Sequence, residues 1–175
     1  MDAGKNKILI VGGYEHGALM IQVDKKPDGS FEPKELFRTV EFGDQTKPPL
    51  LIDGYFYAQY GTNNRRDGMV CMGMDGQIMW KTKRDPDFNK GSMILADGLI
   101  LATDGAKNLY LIEPDTLAFK PLAKAELLGS KSTGDENSIA SRIGGSTQNW
   151  APIALADGKL LIRDQSRMLC VKVVE

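Results

Sequence analysis

With 175 residues, 42% of them hydrophobic, the chain has the length of one ordinary domain and enough apolar content for a sheet core. Its 22 basic and 23 acidic side chains leave a formal net charge of -1, which argues against a broad surface for nucleic acid or an anionic membrane. No run of about 18 apolar residues occurs, so no transmembrane segment is predicted, and residues 1–5 do not begin a signal peptide.

Asp-Gly pairs punctuate the chain, and most are flanked by short apolar runs of strand composition. They begin at Asp28, Asp53, Asp67, Asp75, Asp97, Asp104 and Asp157. Asp and Gly tolerate the positive φ angles of a tight type I′ turn, so an Asp-Gly pair between two apolar runs predicts a β-hairpin. Hairpins that recur along a chain indicate a repeat fold.

The first repeat is predicted from residues 7–11, which match the second strand of the later repeats, and from residues 18–21, which match the third. Residues 2–4 stand where the preceding turn should be. No residues of the chain are therefore assigned to the first strand of this repeat.

The three later repeats share one template, which is an apolar run, an Asp-Gly pair and a second apolar run. These hairpins are residues 50–57, 94–101 and 154–161. A third strand follows each hairpin, and through all four repeats one of its positions reads Met20, Cys71, Leu111 and Cys170. Three repeats add a fourth strand, whose large apolar residue is expected to pack between neighbouring sheets. These residues are Phe37, Trp80 and Leu122.

The spacing of the hairpins predicts the fold class. The last interval contains the polar stretch 129–148, which is predicted to be an inserted loop, and without it the period stays in the forties. Four-stranded propeller blades of roughly 40–50 residues have this period. The chain is therefore predicted to be a single all-β partial propeller over residues 1–175, with about three and a half blades. The blades cover approximately residues 5–43, 45–85, 89–128 and 149–175.

A partial propeller of this size cannot close well on itself. The chain is therefore expected to be the C-terminal half of a larger propeller or one half of an assembled ring. Its expected partners are a second copy of itself, as a homodimer that completes the ring, or a missing N-terminal half.

The repeats resemble the quinoprotein-like, or PQQ-like, β-propeller repeats over most of residues 45–175. The resemblance rests on residues 68–80, on residues 91–98, and on the run Asn149-Trp150-Ala151-Pro152 leading to residues 161–164. It implies a PQQ-like propeller and a periplasmic or extracellular protein. It does not select an activity, because the family includes quinone-dependent dehydrogenases, outer-membrane assembly scaffolds and uncharacterised exported proteins.

The candidate site comes from departures within the repeat, because positions shared by all repeats serve the fold. Polar and aromatic residues begin the innermost strand, and antiparallel pairing brings the end of the second strand beside them. They converge on one mouth of the predicted channel, where Trp150 offers a stacking face for a small molecule or peptide. The candidate ligand-binding residues are Asn89, Lys90, Asn149, Trp150, Arg163 and Asp164. The alternative, left open, is that these residues form salt bridges and caps between blades.

Other chemistry has weak support in the sequence. Cys71 and Cys170 occupy one position of two different repeats, so they are expected to be buried, unbridged core residues. His16 is the only histidine, and no flanking signature supports catalysis or a zinc site there. No catalytic or metal-binding residue is therefore predicted.

These observations favour a non-catalytic binding or scaffold module, with its ligand or partner site at the channel mouth and no expected cofactor. The alternative is part of a PQQ- and calcium-dependent dehydrogenase that oxidises an alcohol or a sugar. The resemblance implies that such an enzyme would hold the quinone with a stacked tryptophan, a calcium ion and a catalytic Asp. A third possibility is a propeller of two half-ring chains that binds no small ligand.

Overall fold

The chain is built from β-strands. A computed structural model describes residues 1–61, 66–128, 148–165 and 167–173, and in them it places fourteen β-strands in four sheets and no helix. These residues accordingly offer no helix long and apolar enough to cross a membrane. The prediction of an all-β chain is confirmed.

Neighbouring strands within each sheet are antiparallel and follow one another in chain order. The first sheet contains β1 (Lys7–Gly12), β2 (Gly17–Lys25) and β3 (Phe31–Thr39). The second contains β4 (Leu50–Ile52), β5 (Tyr55–Gly61), β6 (Arg66–Gly73) and β7 (Ile78–Lys81). The third contains β8 (Met93–Ala96), β9 (Leu99–Thr103), β10 (Asn108–Glu113) and β11 (Lys120–Glu126). The fourth contains β12 (Ala154–Ala156), β13 (Lys159–Arg163) and β14 (Met168–Lys172).

The sheets belong to two compact units. The first unit contains residues Met1–Asn89 together with Asp115–Phe119, and thus the first two sheets. The second unit contains Lys90–Pro114 and Lys120–Glu175, and thus the strands of the third and fourth sheets. The short segment Asp115–Phe119, which joins β10 to β11, is therefore part of the first unit.

Three hairpins turn through the expected Asp-Gly pairs. The Asp residues have φ angles of 48°, 48° and 49°, and the following Gly residues have φ angles of 83°, 76° and 67°. Two consecutive positive φ angles define the type I′ turn, which suits the right-handed twist of paired strands. The turns are Asp53-Gly54, Asp97-Gly98 and Asp157-Gly158. This part of the sequence interpretation is confirmed.

The prediction for the start of the chain was wrong. Residues 1–3 do not form the turn but pair with β1 at the place of a first strand, because Leu9 N–H donates to Met1 O at 2.9 Å and Asp2 bridges to Ile8. The turn lies at residues 4–6, whose φ angles are 75°, 52° and 62°.

A β-bulge recurs in three sheets and corrects the expectation for Leu122. The register shifts between Met20 and Ile21, between Cys71 and Met72, and between Leu111 and Ile112. The residue that faces Leu111 is Ala123, so Leu122 is the extra residue of the bulge and is 50% exposed. Leu122 thus holds the bulge position that Leu36 and Met79 hold in the other two sheets, and the alignment of this repeat was one residue out of place.

Phe37 and Trp80, by contrast, occupy the expected interior position. Phe37 packs against the core of the first unit, and its ring would touch a Cβ placed on Gly76 at 2.8 Å. The Trp80 indole N–H donates to the backbone oxygen of Asp115 at 2.8 Å, and its ring centroid lies 6.1 Å from that of Phe119. Tyr57 Oη also donates to Asp115 O, at 3.3 Å. These contacts fix the Asp115–Phe119 segment on the first unit.

Each unit has its own apolar core, made by inward-facing residues that alternate along the strands. The first core contains Leu9, Met20, Phe42, Phe56, Val70 and Met72. The second contains Leu101, Leu128, Ile153, Leu160 and Ile162. In β13 the alternation is regular, since Leu160 and Ile162 are buried whereas Lys159, Leu161 and Arg163 are exposed. This alternation directs Arg163 away from the core.

The two cysteines differ in burial. Both are free thiols. Cys71 is buried opposite Tyr57 and Trp80, and burial raises its thiol pKa to about 11. Cys170 is exposed, which contradicts the expectation that both would be core residues. Its strand, β14, pairs only with β13 within the described residues, so no outer strand covers it as β7 covers Cys71.

Candidate functional site

A cleft of about 340 Å³ opens in the second unit, between the segment that precedes β12 and the end of β13. Its lining residues are Gln148, Trp150, Ala151, Arg163, Asp164 and Gln165, and we call it the Trp150 cleft. Three of the six candidate residues therefore line one cavity, and a fourth, Lys90, contacts the Trp150 side chain. The cleft lies where strand pairing predicted that polar groups would meet.

Lys90 and Trp150 form a cation–π pair. The ammonium nitrogen of Lys90 lies 4.6 Å from the centroid of the Trp150 ring, well inside the distance at which the ring attracts a cation. Lys90 has a φ of 60°, which is uncommon for a residue with a Cβ. The pair places a positive charge and an aromatic ring at the same edge of the second unit.

Arg163 brings a second positive charge to the cleft. It is the last residue of β13, it is exposed, and it lies opposite Met168 in the strand register. Neither Arg163 nor Lys90 has an ion pair with a carboxylate in the described parts of the chain. Both side chains can therefore donate to a ligand.

Asp164 has a different role from the other lining residues. It is 5% exposed, and its Oδ1 accepts the backbone N–H of Arg167 at 2.9 Å. The guanidinium Nε of Arg167 lies 3.8 Å from Asp164 Oδ2, and its Nη2 donates to Leu127 O at 2.8 Å. The alternative of a cap, which the sequence left open, thus describes the contacts of Asp164.

The equivalent residue of the third sheet makes the same kind of turn. Asp104 Oδ1 accepts backbone N–H groups of Ala106 and Asn108, at 2.9 Å and 3.1 Å. A carboxylate that bonds to backbone amides two to four residues ahead holds a tight turn. The Asp that directly follows the second strand is therefore a shared structural feature of the last two sheets.

Asn149 is fully buried and is not among the lining residues. Its backbone N–H donates to Gly105 O at 2.9 Å. Neither its Oδ1 nor its Nδ2 has a hydrogen-bond partner among the described residues. Asn149 therefore joins the third and fourth sheets at their junction.

Asn89 belongs to the first unit and makes a similar junction there. A Cβ on Gly61 would lie 3.1 Å from Asn89 Oδ1, and a Cβ on Gly13 would lie 2.7 Å from Cγ of Gln45. Gly13, Gly61 and Gly105 are equivalent positions at the end of the second strand. Gly13 leaves room for Gln45, and Gly61 leaves room for Asn89. Asn89 thus packs against Gly61 within the first unit, and Asn149 packs at the junction of the third and fourth sheets in the second unit.

Two glutamines of the cleft were missed by sequence reasoning. Gln165 Nε2 donates to Gln148 Oε1 at 2.8 Å, and both side chains line the cleft. Gln148 had been assigned to the inserted loop, whose other residues, 129–147, lie outside the described ones. The sequence did contain a signal for Gln165, because this residue stands where the other three sheets have a glycine at the end of the second strand.

A second cavity, of about 430 Å³, lies in the first unit beside β1. Apolar Leu9 and Pro49 line it together with Gln45 and Lys47. The nearby Asp44 is buried, and its carboxylate accepts the backbone N–H groups of Thr46 and Lys47, each at 2.8 Å. Burial outweighs these hydrogen bonds and raises the pKa of Asp44. Asp44 therefore holds the loop that enters the second sheet.

The dehydrogenase alternative would require ligands for a calcium ion. No three His, Cys, Asp or Glu residues come together in the described ranges in a way that could hold a metal ion. Calcium prefers several carboxylate and carbonyl oxygens, whereas Asp104 and Asp164 are engaged in turns. The dehydrogenase alternative stays a prediction.

The six candidate residues thus fall into two groups according to their contacts. Lys90, Trp150 and Arg163 can meet a ligand at the cleft, whereas Asn89, Asn149 and Asp164 hold turns and sheet junctions. No protein-family model matches the chain, and no curated protein sequence matches it.

Proposed function

We propose that this chain is a PQQ-like β-propeller module that acts in binding or as a scaffold rather than in catalysis, with the Trp150 cleft as its ligand site. The propeller assignment is supported by internal repetition. Three hairpins share the type I′ Asp-Gly turn, and three sheets share a bulge at the same position. Four antiparallel sheets of three or four strands have the strand pattern of propeller blades.

The observation that carries the binding function is the convergence of Lys90, Trp150 and Arg163. Ligand sites combine an apolar or aromatic wall with a few directed polar groups. Trp150 provides the aromatic wall, Arg163 provides a guanidinium that lines the cleft, and Lys90 holds an ammonium over the Trp150 ring. Both are donors that can bind a ligand without reacting with it.

Binding is favoured over catalysis by the state of the lining carboxylate. General acid–base chemistry needs a group that can reach the substrate and exchange a proton. Asp164 is buried and its charge faces Arg167. The cleft is thus equipped to hold a ligand, and the described lining residues contain no pairing of a nucleophile with a base.

The expected partnership with a second copy, or with a missing N-terminal half, belongs to the same proposal. The outer edge of β14 supports it, because Met168 is 68% exposed and Val173 is also exposed beside that strand. The outer strands β3 and β11 contain Pro33 and Pro121, which hinder pairing with another strand, whereas β14 contains no proline. Light scattering over a hundredfold range of concentration tests self-association, and a constant monomer mass would contradict it.

A fragment screen by two-dimensional ¹⁵N NMR tests the binding function directly. We expect some small molecules to shift the signals of residues 148–151 and 163–165 and of the Trp150 indole N–H. Trp150→Ala should abolish these shifts while the remaining spectrum stays dispersed. Lys124→Met is the matched control, since Lys124 lies over the Tyr110 ring at 5.4 Å outside the cleft. A screen in which no fragment of any charge moves a cleft signal would disprove the proposed site.

A further inference from the structure

The accessible charge of the Trp150 cleft is positive. Arg163 is exposed, and Lys90 is held at its edge on the Trp150 ring. The only carboxylate among the described lining residues, that of Asp164, has a side chain that is 0% exposed. From the described residues, a ligand that enters the cleft therefore meets a guanidinium and amide groups and no accessible carboxylate.

The cations of the cleft differ from several lysines elsewhere in the chain. Lys107 and Lys120 have carboxylate partners, at 2.9 Å from Glu126 and 2.8 Å from Glu113. Lys90 lies over the ring of the lining residue Trp150, and Arg163 lines the cleft together with the hydrogen-bonded pair Gln148 and Gln165. The cleft thus has one lining cation, Arg163, and a second, Lys90, over its aromatic ring, and neither has an ion pair with an anion of the described residues.

The contact with Trp150 also reduces the side-chain entropy that Lys90 would lose on binding an anion. A lysine side chain on the surface loses rotamer freedom when it binds, and this loss weakens binding. The ring already restricts the Lys90 ammonium at 4.6 Å, so part of that entropy is lost before a ligand arrives.

We propose that the Trp150 cleft binds a carboxylate group, carried by a small aliphatic acid or by an acidic side chain of a peptide. This inference rests on the proposed binding function of the cleft. The volume of about 340 Å³ is at the low end for ligand sites, which suits a short chain of a few carbons. Arg163 provides the forked donor and Lys90 the second charge for the carboxylate oxygens.

The test compares ligands of the same shape that differ in charge. Glutarate and its neutral diamide, glutaramide, are titrated into the ¹⁵N-labelled protein at low salt, followed by N-acetyl-glutamate N-methylamide and its glutamine counterpart. We expect the two acids to shift the Trp150 indole signal and the two amides to bind about tenfold more weakly or not at all. Stronger binding of the peptide-like acid identifies a peptide source, and stronger binding of glutarate identifies a free acid.

Variants locate the binding. Lys90→Met and Arg163→Gln should each raise the dissociation constant for glutarate about tenfold, and Lys124→Met should leave it unchanged. Added salt should weaken binding to the wild-type protein more than to either cleft variant. Equal loss in Lys124→Met would mean a general effect of charge and would overturn the inference.

The two proposals can fail separately. If glutaramide binds the cleft as tightly as glutarate, the carboxylate class is wrong while the cleft remains a binding site. If no acid, amide or screened fragment shifts a cleft signal, both proposals are wrong. If glutarate binds wild type, Lys90→Met and Arg163→Gln with equal affinity, its site is elsewhere and the inference is again overturned.

Discussion

The backbone oxygen of Gly105 accepts a 2.9 Å hydrogen bond from the backbone N–H of Asn149, where the chain enters the fourth sheet. The Asn149 side chain is 0% exposed, and its amide atoms have no partner among the described residues. Replacing a buried amide of this kind by an apolar side chain lowers the free energy of unfolding less than replacing it by a charged side chain does. The junction between the third and fourth sheets is therefore sensitive to the chemistry of one side chain.

Asn149→Asp should destabilise the protein far more than Asn149→Ala. The carboxylate would be buried without a cation, at a cost of about 3 kcal/mol or more, whereas Ala loses a poorly satisfied amide and should cost about 1 kcal/mol. Urea unfolding at neutral pH measures the two changes. The Asp variant should regain stability as pH falls, because protonation removes the buried charge, and equal costs for both variants would contradict the assignment.

Gly61→Ala should be destabilising because of Asn89. The added Cβ would lie 3.1 Å from Asn89 Oδ1, so the junction in the first unit must shift, at a cost of about 1–2 kcal/mol. Asn89→Ala removes the crowding atom, and the double variant should therefore be more stable than the sum of the single changes implies. A double-mutant cycle from urea unfolding gives this coupling, which should exceed about 0.5 kcal/mol. Additive changes would mean that the two residues do not meet.

The free energy of unfolding should fall as rising pH removes the proton from the buried Asp44 carboxyl group. Its pKa is raised by burial, so the folded protein keeps this proton after the unfolded chain has lost it. The stabilising effect of the proton is complete below the ordinary value of 3.8 and is lost as pH rises through the raised folded pKa. Urea unfolding across this range should show the decline in wild type and a smaller one in Asp44→Asn.

Asp28 provides a control for this pH dependence, because its pKa is shifted in the opposite direction from that of Asp44. Hydrogen bonds from the Ser30 side chain and backbone lower its pKa, so its contribution is present above its ordinary pKa and is lost as pH falls. The difference between wild type and Asp28→Asn should therefore shrink toward acid pH. The same direction of change for both aspartates would contradict the burial of Asp44.

The cysteines should react with a thiol reagent at very different rates. Cys170 is exposed, whereas Cys71 is buried with a pKa of about 11, so at about pH 8 only about one Cys71 in a thousand is ionised. One thiol should react rapidly in the folded protein and the second only after unfolding. Cys170→Ser should remove the rapid phase and Cys71→Ser should leave it, whereas two rapid thiols would contradict the burial of Cys71.

Local signals predicted the turns and most of the strands. An Asp-Gly pair specifies its own backbone geometry, so the hairpins at Asp53, Asp97 and Asp157 could be read directly. The bulge that exposes Leu122 could not, because an extra residue in a strand leaves no signature in composition and shifts the alternation by one position. The exposure of Cys170 was missed for a related reason, since burial depends on whether another strand covers β14.

The site was predicted in part. Strand pairing was enough to bring Trp150 near Arg163, because antiparallel neighbours have a fixed register. The sequence could not tell that Asp164 would face Arg167 within its own turn, since a short-range cap competes with every longer-range role of a carboxylate. Gln165 was overlooked although its glycine equivalents at Gly61 and Gly105 made it an exception.

The attachment of Asp115–Phe119 to the first unit limits how the chain can be divided. A truncation after Asn89 would separate the strands of the two units, yet it would remove the acceptor of the Trp80 indole and the ring of Phe119 that lies against it. Tyr57 would lose the same acceptor. The smallest autonomous fragment of the first unit therefore has to extend beyond its own strands to residue 119, and a repeat-by-repeat dissection would expose an aromatic surface that the intact protein keeps covered.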